Sequence, residues 1–187
     1  MDRFRDVLLD VWREACRHIE IADSTARIAP MLARDLPLAC LLVRRMDSER
    51  RVLETVALGR PRPARIHAAA TTACSEAKWA RLRAWAEAGE ILHGNRMKRT
   101  GDLSLLVPEE LEGETLVGPL VGPDGPTGAL VLVAESQRSF QPQHLEMLRL
   151  LLEPFSAALE NCIWSSLEPR LRRMMARLPA RSIGLCT

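Results

Sequence analysis

Apolar residues recur at helical spacing near the start of the chain. Between residues 2 and 19 nearly every third or fourth position is apolar, which predicts an amphipathic first helix. Asp23 and Ser24 favour helix N-caps, so a second helix is predicted over residues 23–34. Pro30 lies inside this pattern and either kinks the helix or displaces the start of its regular part.

The last third of the chain predicts one long helix beginning near Pro142. Its apolar positions step by three and four, as in a coiled coil. Pro154 is expected to kink this helix, and Pro169 to interrupt it a second time. The apolar seam, together with the first helix, predicts a homodimer interface with five residues: Leu145, Leu148, Leu152, Phe155 and Leu159.

Two β-hairpins are predicted between these helices. Residues 38–45 and 51–58 flank a polar turn, and residues 115–121 and 129–134 flank a turn rich in Gly and Pro. Pro119 lacks a backbone donor, so its strand should be near an edge or a bulge.

The segment between the hairpins predicts a further helix over residues 75–88. Ser75 is a suitable N-cap, and Gly89 stands where a left-handed residue ends a helix. Residues 101–106 are interpreted as one more strand. This order of elements favours an α+β fold, in which terminal helices cover one face of an antiparallel sheet.

Composition narrows the class of protein. The chain has 187 residues, enough for one domain, and its net charge of +2 predicts no acidic partner. Aromatic residues make up only 4%, so direct nucleic-acid binding is not expected. Charged residues near the start exclude an export signal, and no apolar run suffices to span a membrane, which predicts a cytoplasmic protein. The five cysteines form no CxxC pair, which favours neither a disulfide framework nor a metal site.

Two stretches resemble the GAF domain. Residues 35–59 are similar to its first two strands, and residues 116–161 to its last two strands and closing helix. Within the family, Leu152–Asn161 (LEPFSAALEN) resembles the N-terminal sensory domains of sigma-54-dependent transcriptional regulators of the formate-hydrogenlyase-activator type. The resemblance covers residues 1–163, leaving 164–187 as a helical extension and tail.

The resemblance implies a sheet of about six strands, a small-molecule pocket on one face, and terminal helices that dimerise. We expect this pocket between the sheet and residues 68–100. That segment has neither a cyclic-nucleotide signature nor a bilin-attachment motif, so the ligand or cofactor stays unknown. No GxxxxGK[ST] motif occurs, so the AAA+ ATPase of such a regulator would be an attached domain or a partner acting in trans.

Five residues are candidates for binding the small molecule: His67, Cys74, Trp79, His93 and Arg96. Each also has a plain structural interpretation, since Cys74 and Trp79 suit a core and Arg96 a solvated loop. Cys74, Glu90 and His93 are potential metal ligands, but their spacing does not favour a site.

No catalytic residue is predicted, and the favoured function is sensing of a small molecule in transcriptional control. Two alternatives remain open at this point. The first is a ligand-free dimerisation module. The second is a redox enzyme that uses Cys74, which precedes a helix N-terminus that would activate a thiol.

Overall fold

The computed structural model describes residues 2–17, 20–62, 70–94, 103–109 and 111–175. Within these ranges the elements are, in chain order, α1 (Asp2–Arg17), α2 (Ile21–Leu32), β1 (Leu38–Asp47), β2 (Val52–Gly59), β3 (Thr71–Ala73), α3 (Glu76–Ala88), β4 (Leu92–Gly94), α4 (Leu103–Leu106), β5 (Thr115–Gly122), β6 (Gly125–Ala134) and α5 (Pro142–Met175).

The six strands form a single antiparallel sheet in the order β3-β2-β1-β6-β5-β4. The two predicted hairpins, β1–β2 and β5–β6, pair with each other through β1 and β6. The expected α+β architecture of about six antiparallel strands is therefore confirmed.

Both faces of the sheet are buried. On β1, Leu41 and Val43 point to the face covered by α1, α2 and α5, whereas Cys40 and Leu42 point to the face covered by α3 and α4. Because both sets of side chains are apolar, the central strands appear in the sequence as continuous apolar runs without alternation. We call the first face the helix face and the second the α3 face.

Helix α5 rests on the backbone of β5 and β6. A Cβ added to Gly118 would lie 2.5 Å from Cδ2 of Leu152, so any larger residue there would require the leucine side chain to shift. The backbone N–H of Val121 donates to the hydroxyl of Ser156 on α5, over 3.2 Å. Helix α5 is thus in direct contact with β5 and β6, the two strands of the second hairpin.

The second hairpin is tighter than predicted. Its turn holds only Pro123 and Asp124, because β6 begins at Gly125, where φ is +116°. Pro119 behaves as expected: β4 pairs with β5 only over Thr115–Val117, so the proline lies beyond that pairing and next to a bulge.

Helix α2 begins earlier than predicted. It starts at Ile21 after Glu20, which makes no side-chain cap. The hydroxyl of Ser24 instead donates to the backbone oxygen of Glu14 in α1, over 3.2 Å, so the residue joins two helices. Pro30 lies within the helix and does not end it.

Two other predicted elements differ from the structure. Residues 103–106 form a short helix rather than a strand. Helix α5 runs through Pro154 and Pro169 without ending, so the interruption predicted at Pro169 is wrong. The domain boundary predicted after residue 163 stays a prediction, although α5 continues across it.

The caps predicted for α3 are confirmed, with Lys78 N–H donating to Ser75 Oγ and Gly89 at φ +71°.

The seam on α5 belongs to the core of the chain itself. Leu148, Phe155 and Leu159 are buried on the helix face, and Leu145 and Leu152 pack partly buried against that core. The assignment of the three buried side chains to a dimer surface needs correction, because a helix seam buries equally well against a sheet. The assignment of Leu145 and Leu152 to that surface stays a prediction. Of the described helices, none is both long and apolar enough to cross a membrane.

The side chain of His144 caps the N-terminus of α5. The backbone N–H of Gln141 donates to Nδ1 of His144 over 3.0 Å, so this nitrogen carries a lone pair and the ring is neutral. His144 is buried against the ring of Phe140, and burial lowers its pKa below the ordinary value.

This histidine predicts a loss of stability in acid. Below about pH 6.5 the unfolded chain binds a proton at His144 that the folded chain does not, so the free energy of unfolding falls as pH falls. The loss levels off only when the folded ring is also protonated. We expect the urea midpoint to drop between about pH 7.5 and pH 5.5. In His144→Gln the drop should be smaller, since glutamine at this position also accepts from the cap N–H but does not titrate. Equal drops would contradict this account.

Candidate ligand-binding site

A cavity of about 390 Å³ opens on the α3 face, beside the edge strand β3. Three groups of residues surround it: β3, the first turn of α3, and α4 with the segment that follows it. We call it the β3 cavity; the lining residues that matter below are Thr71, Thr72, Ala73, Lys78, Leu105 and Glu109. Its volume is in the range of small-molecule sites.

A buried arginine lies behind the wall of the β3 cavity. Arg44 on β1 is 0% exposed, and its Nη2 donates to the backbone oxygen of Leu53 over 3.1 Å and to Oγ1 of Thr72 over 2.8 Å. A hydroxyl that accepts from a guanidinium keeps its own hydrogen for donation. Because no hydrogen bond leads from this hydroxyl to another described residue, Thr72 can offer a donor to the cavity.

Cys74 lies at the end of β3 and is buried. Burial raises the pKa of its thiol, and the positive charges of Arg44 and Lys78 oppose the rise without cancelling it. The thiol is therefore protonated at neutral pH, with Sγ 3.8 Å from the backbone oxygen of Thr72. A protonated, buried thiol is a poor nucleophile.

Trp79 is a core residue of the α3 face. It is buried in the same cluster as Leu82 and Trp85, which pack α3 onto the sheet. Trp85 also donates its indole N–H to the backbone oxygen of Glu90 over 2.9 Å, which fixes the end of α3. The plain interpretation of Trp79 as a core residue thus accounts for its position.

His93 lies on β4, at the opposite edge of the sheet from β3. Five strand spacings, about 24 Å along the sheet, separate these edges, so His93 and Cys74 do not share a metal ion. Nε2 of His93 is 2.9 Å from Oε1 of Glu114, whose Oε2 accepts from the N–H of Phe140 over 2.5 Å. His93 thereby connects β4 to the loop before α5. In the part of the chain that the structure describes, no three His, Cys, Asp or Glu side chains cluster as metal ligands.

Of the remaining candidates, His67 and Arg96 lie outside the described residues. The structure thus brings Cys74 near the β3 cavity and places His93 far from it. The residues that sequence reasoning missed are Arg44, Thr72 and Lys78. A signal for the first existed, because Arg44 is a charged residue at the end of an apolar strand sequence, LACLLV. The lining residues that follow α4 also lie outside residues 68–100, the segment that was expected to cover the pocket.

A second cavity, also of about 390 Å³, lies at the end of the sheet between the α2–β1 and β6–α5 loops. Arg34, Asp35 and Arg138 line it, and Arg138 is already paired with Glu135 at 3.3 Å. It is an open, mostly polar surface with little of the apolar lining that small-molecule sites have. The β3 cavity is the better candidate.

Comparison with known proteins gives structural neighbours only. No protein-family model matches the sequence, and no curated protein resembles it closely enough to count as a relative. The phycoerythrobilin-bound GAF domain of a cyanobacterial phytochrome superposes with a TM-score of 0.64 at 10% identity, covering 87% of this chain and 97% of that one.

Two further neighbours have similar scores. The GAF domain of Acinetobacter phosphoenolpyruvate-protein phosphotransferase gives a TM-score of 0.62 at 16% identity, with 86% of this chain and 94% of that chain covered. The free methionine-R-sulfoxide reductase of Neisseria meningitidis, in complex with its substrate, gives 0.59 at 16% identity, with 87% and 91% covered. Identities this low carry the architecture alone. The chain has the fold of a GAF domain.

Proposed function

We propose that this chain is a regulatory domain that senses a small molecule in the β3 cavity and reports its presence through α5. The observation that carries the proposal is the placement of the β3 cavity and α5 on opposite faces of one sheet. The cavity borders β3 at one edge of the sheet, and α5 packs on β5 and β6, so β2 and β1 connect the two regions.

A continuous path of paired strands supports this coupling. Thr72 pairs with Leu53 on β2, and Arg44 reaches both residues from β1. Strand β1 pairs in turn with β6, on which α5 packs. A ligand that contacts β3 therefore acts on a sheet whose other face holds the helix. For signalling it must favour one packing of α5 over another, because equal affinity for both shifts nothing.

The structural neighbours lend support by analogy. The phytochrome domain holds a bilin, and the sulfoxide reductase holds its substrate, so this architecture accommodates small molecules. Most of the similar GAF domains are not named as enzymes, and the buried, protonated Cys74 does not favour a redox enzyme here. We therefore propose a sensor without catalysis of its own.

A blocked cavity tests the sensor proposal. Ala73 is exposed, lines the β3 cavity and lies on an edge strand, where a tryptophan is sterically tolerated. Ala73→Trp should abolish binding of those members of a fragment library that ligand-observed NMR detects on the unaltered protein. Ala80→Trp, at an exposed position of α3 outside the cavity lining, is the matched control and should bind them unchanged.

Two outcomes contradict the sensor proposal. One is a protein to which no fragment binds, which favours the ligand-free interaction module. The other is binding that Ala73→Trp leaves intact, which moves the ligand to another site.

We further propose that the regulated process is transcription, through the AAA+ ATPase of a sigma-54-dependent activator as an attached domain or partner. Support comes from the sequence resemblance over residues 116–161 alone. Adding the purified chain to such an ATPase should change its rate of ATP hydrolysis. An unchanged rate at saturating concentration would count against this partner.

A homodimer through the terminal helices remains a proposal, with different residues from those first predicted. Leu150 and Trp164 on α5 are 47% and 63% exposed, and Ala157 lies midway between them at a spacing of seven. Such a stripe suits a helix pair. We expect Trp164→Arg to shift sedimentation from dimer to monomer without changing the urea midpoint of the monomer. Unchanged association would remove this surface from the proposal.

A further inference from the structure

We infer that the ligand of the β3 cavity is a small zwitterion, with a carboxylate held near Thr72 and Lys78 and an ammonium group held near Glu109. This inference rests on the proposed function, since it names the chemical class that the same cavity takes. Free α-amino acids are the smallest common members of that class.

The anionic end is assigned from the donors at β3. The hydroxyl of Thr72 accepts from the buried Arg44 at 2.8 Å, so its hydrogen is polarised by a positive charge and directed to another acceptor. Lys78, in the first turn of α3, lines the same cavity and carries an ammonium group. The positive charges of Arg44 and Lys78 also reach Cys74, where both lower the pKa of the thiol against burial. The two cations are therefore close enough to the end of β3 to act on its side chains.

The cationic end is assigned from Glu109. Glu109 lines the cavity from the segment after α4 and carries a carboxylate. Lys78 and Glu109 line one cavity, yet neither forms an ion pair within 4.0 Å with the other or with any described residue. Opposite charges that share a cavity without pairing are complementary to a ligand that carries both charges.

The remaining lining limits the size and polarity of the ligand. Leu105, Val107 and Pro108 are buried and apolar, and they form one side of the 390 Å³ space. A compact apolar or mildly polar side chain would contact them while the two charged ends reach β3 and Glu109. A nucleotide carries more negative charge than one lysine and one shielded arginine can match beside a glutamate.

The test compares ligands that lack one charge with variants that lack the matching residue. The proteinogenic L-amino acids are titrated calorimetrically against the full chain, and each one that binds is repeated as its N-acetyl and its methyl-ester derivative. Removing either charge should weaken binding about tenfold or more, the usual effect of losing a hydrogen bond to a charged group. In Glu109→Gln the N-acetyl derivative should bind as well as the parent, and in Lys78→Gln the methyl ester should do so.

In this pattern each variant tolerates only the derivative that lacks the matching charge. A purely structural role of Lys78 and Glu109 would not produce it. Both residues are exposed, so the urea midpoints of the two variants should equal that of the unaltered chain. Derivatives that bind the unaltered chain as tightly as their parents would overturn the zwitterion inference. Amino acids that fail while uncharged fragments bind in a manner sensitive to Ala73→Trp would overturn it too, but would leave the sensor proposal standing. If neither amino acids nor fragments bind, both the zwitterion inference and the sensor proposal are contradicted.

Discussion

Replacing Phe155 by alanine should lower the free energy of unfolding by about 3–5 kcal/mol. Phe155 is 1% exposed and lies in the helix-face core with Leu148 and Leu159, so truncation leaves a cavity that α5 and the sheet can close only in part. Urea unfolding followed by circular dichroism measures the change. Arg149→Ala, on the same helix but exposed and outside the proposed dimer stripe, should cost less than about 1 kcal/mol and serves as the matched control.

The same pair of variants separates a core seam from a dimer seam. If Phe155 lay between two chains, its truncation would dissociate a dimer, and the difference in urea midpoint between Phe155→Ala and the unaltered chain would change with protein concentration. The structure predicts instead a loss that is the same at every concentration. Equal stability of Phe155→Ala and Arg149→Ala would contradict the placement of α5 on the sheet.

Replacing Gly59 by valine should cost at least about 2 kcal/mol, because side chains added to a close backbone contact overpack it. A Cβ at this position would overlap the backbone oxygen of Thr25 and lie 2.9 Å from Cβ of Ala29, both on α2. Relief requires α2 to move away from β2, and this helix also contacts α1. Thermal unfolding monitored by circular dichroism reports the cost.

Gly89→Ala is the appropriate comparison for that variant. Gly89 has φ +71° with nothing within 4 Å of an added Cβ, so alanine meets only the left-handed backbone penalty of about 1 kcal/mol. Gly59→Val should therefore be the more damaging change. A Gly59→Val protein as stable as Gly89→Ala would show that α2 does not pack closely on β2.

The fold was largely predictable because its strongest signals are local. Ser75 and Gly89 bound α3 by capping chemistry, and Pro123 and Asp124 mark a turn wherever they occur between apolar strands. Two errors share one cause, which is that the residues make tertiary contacts: Ser24 bonds to α1 instead of capping α2, and the seam around Phe155 packs on the sheet. In a third error, α5 continues through Pro169, where an interruption was predicted.

The candidate site was predictable only in outline. Cys74 lies close to the β3 cavity, but the polar groups that define its chemistry come from three separate parts of the chain. Arg44 is on β1, Lys78 is on α3, and Glu109 follows α4. Spacing along a sequence does not reveal such a convergence, because it depends on strand order. His93 was misleading for the same reason, since β4 is at the far edge of the sheet.

Hydrogen exchange of the α5 amides tests most directly the claim that one sheet links ligand and helix. A compound that binds the unaltered chain and not Ala73→Trp is compared at saturation with the empty protein. The account predicts that exchange changes both at β3 and along residues 147–159 of α5, which face the other side of the sheet. A change confined to β3, α3 and the segment after α4 would show that occupancy of the cavity does not reach the helix.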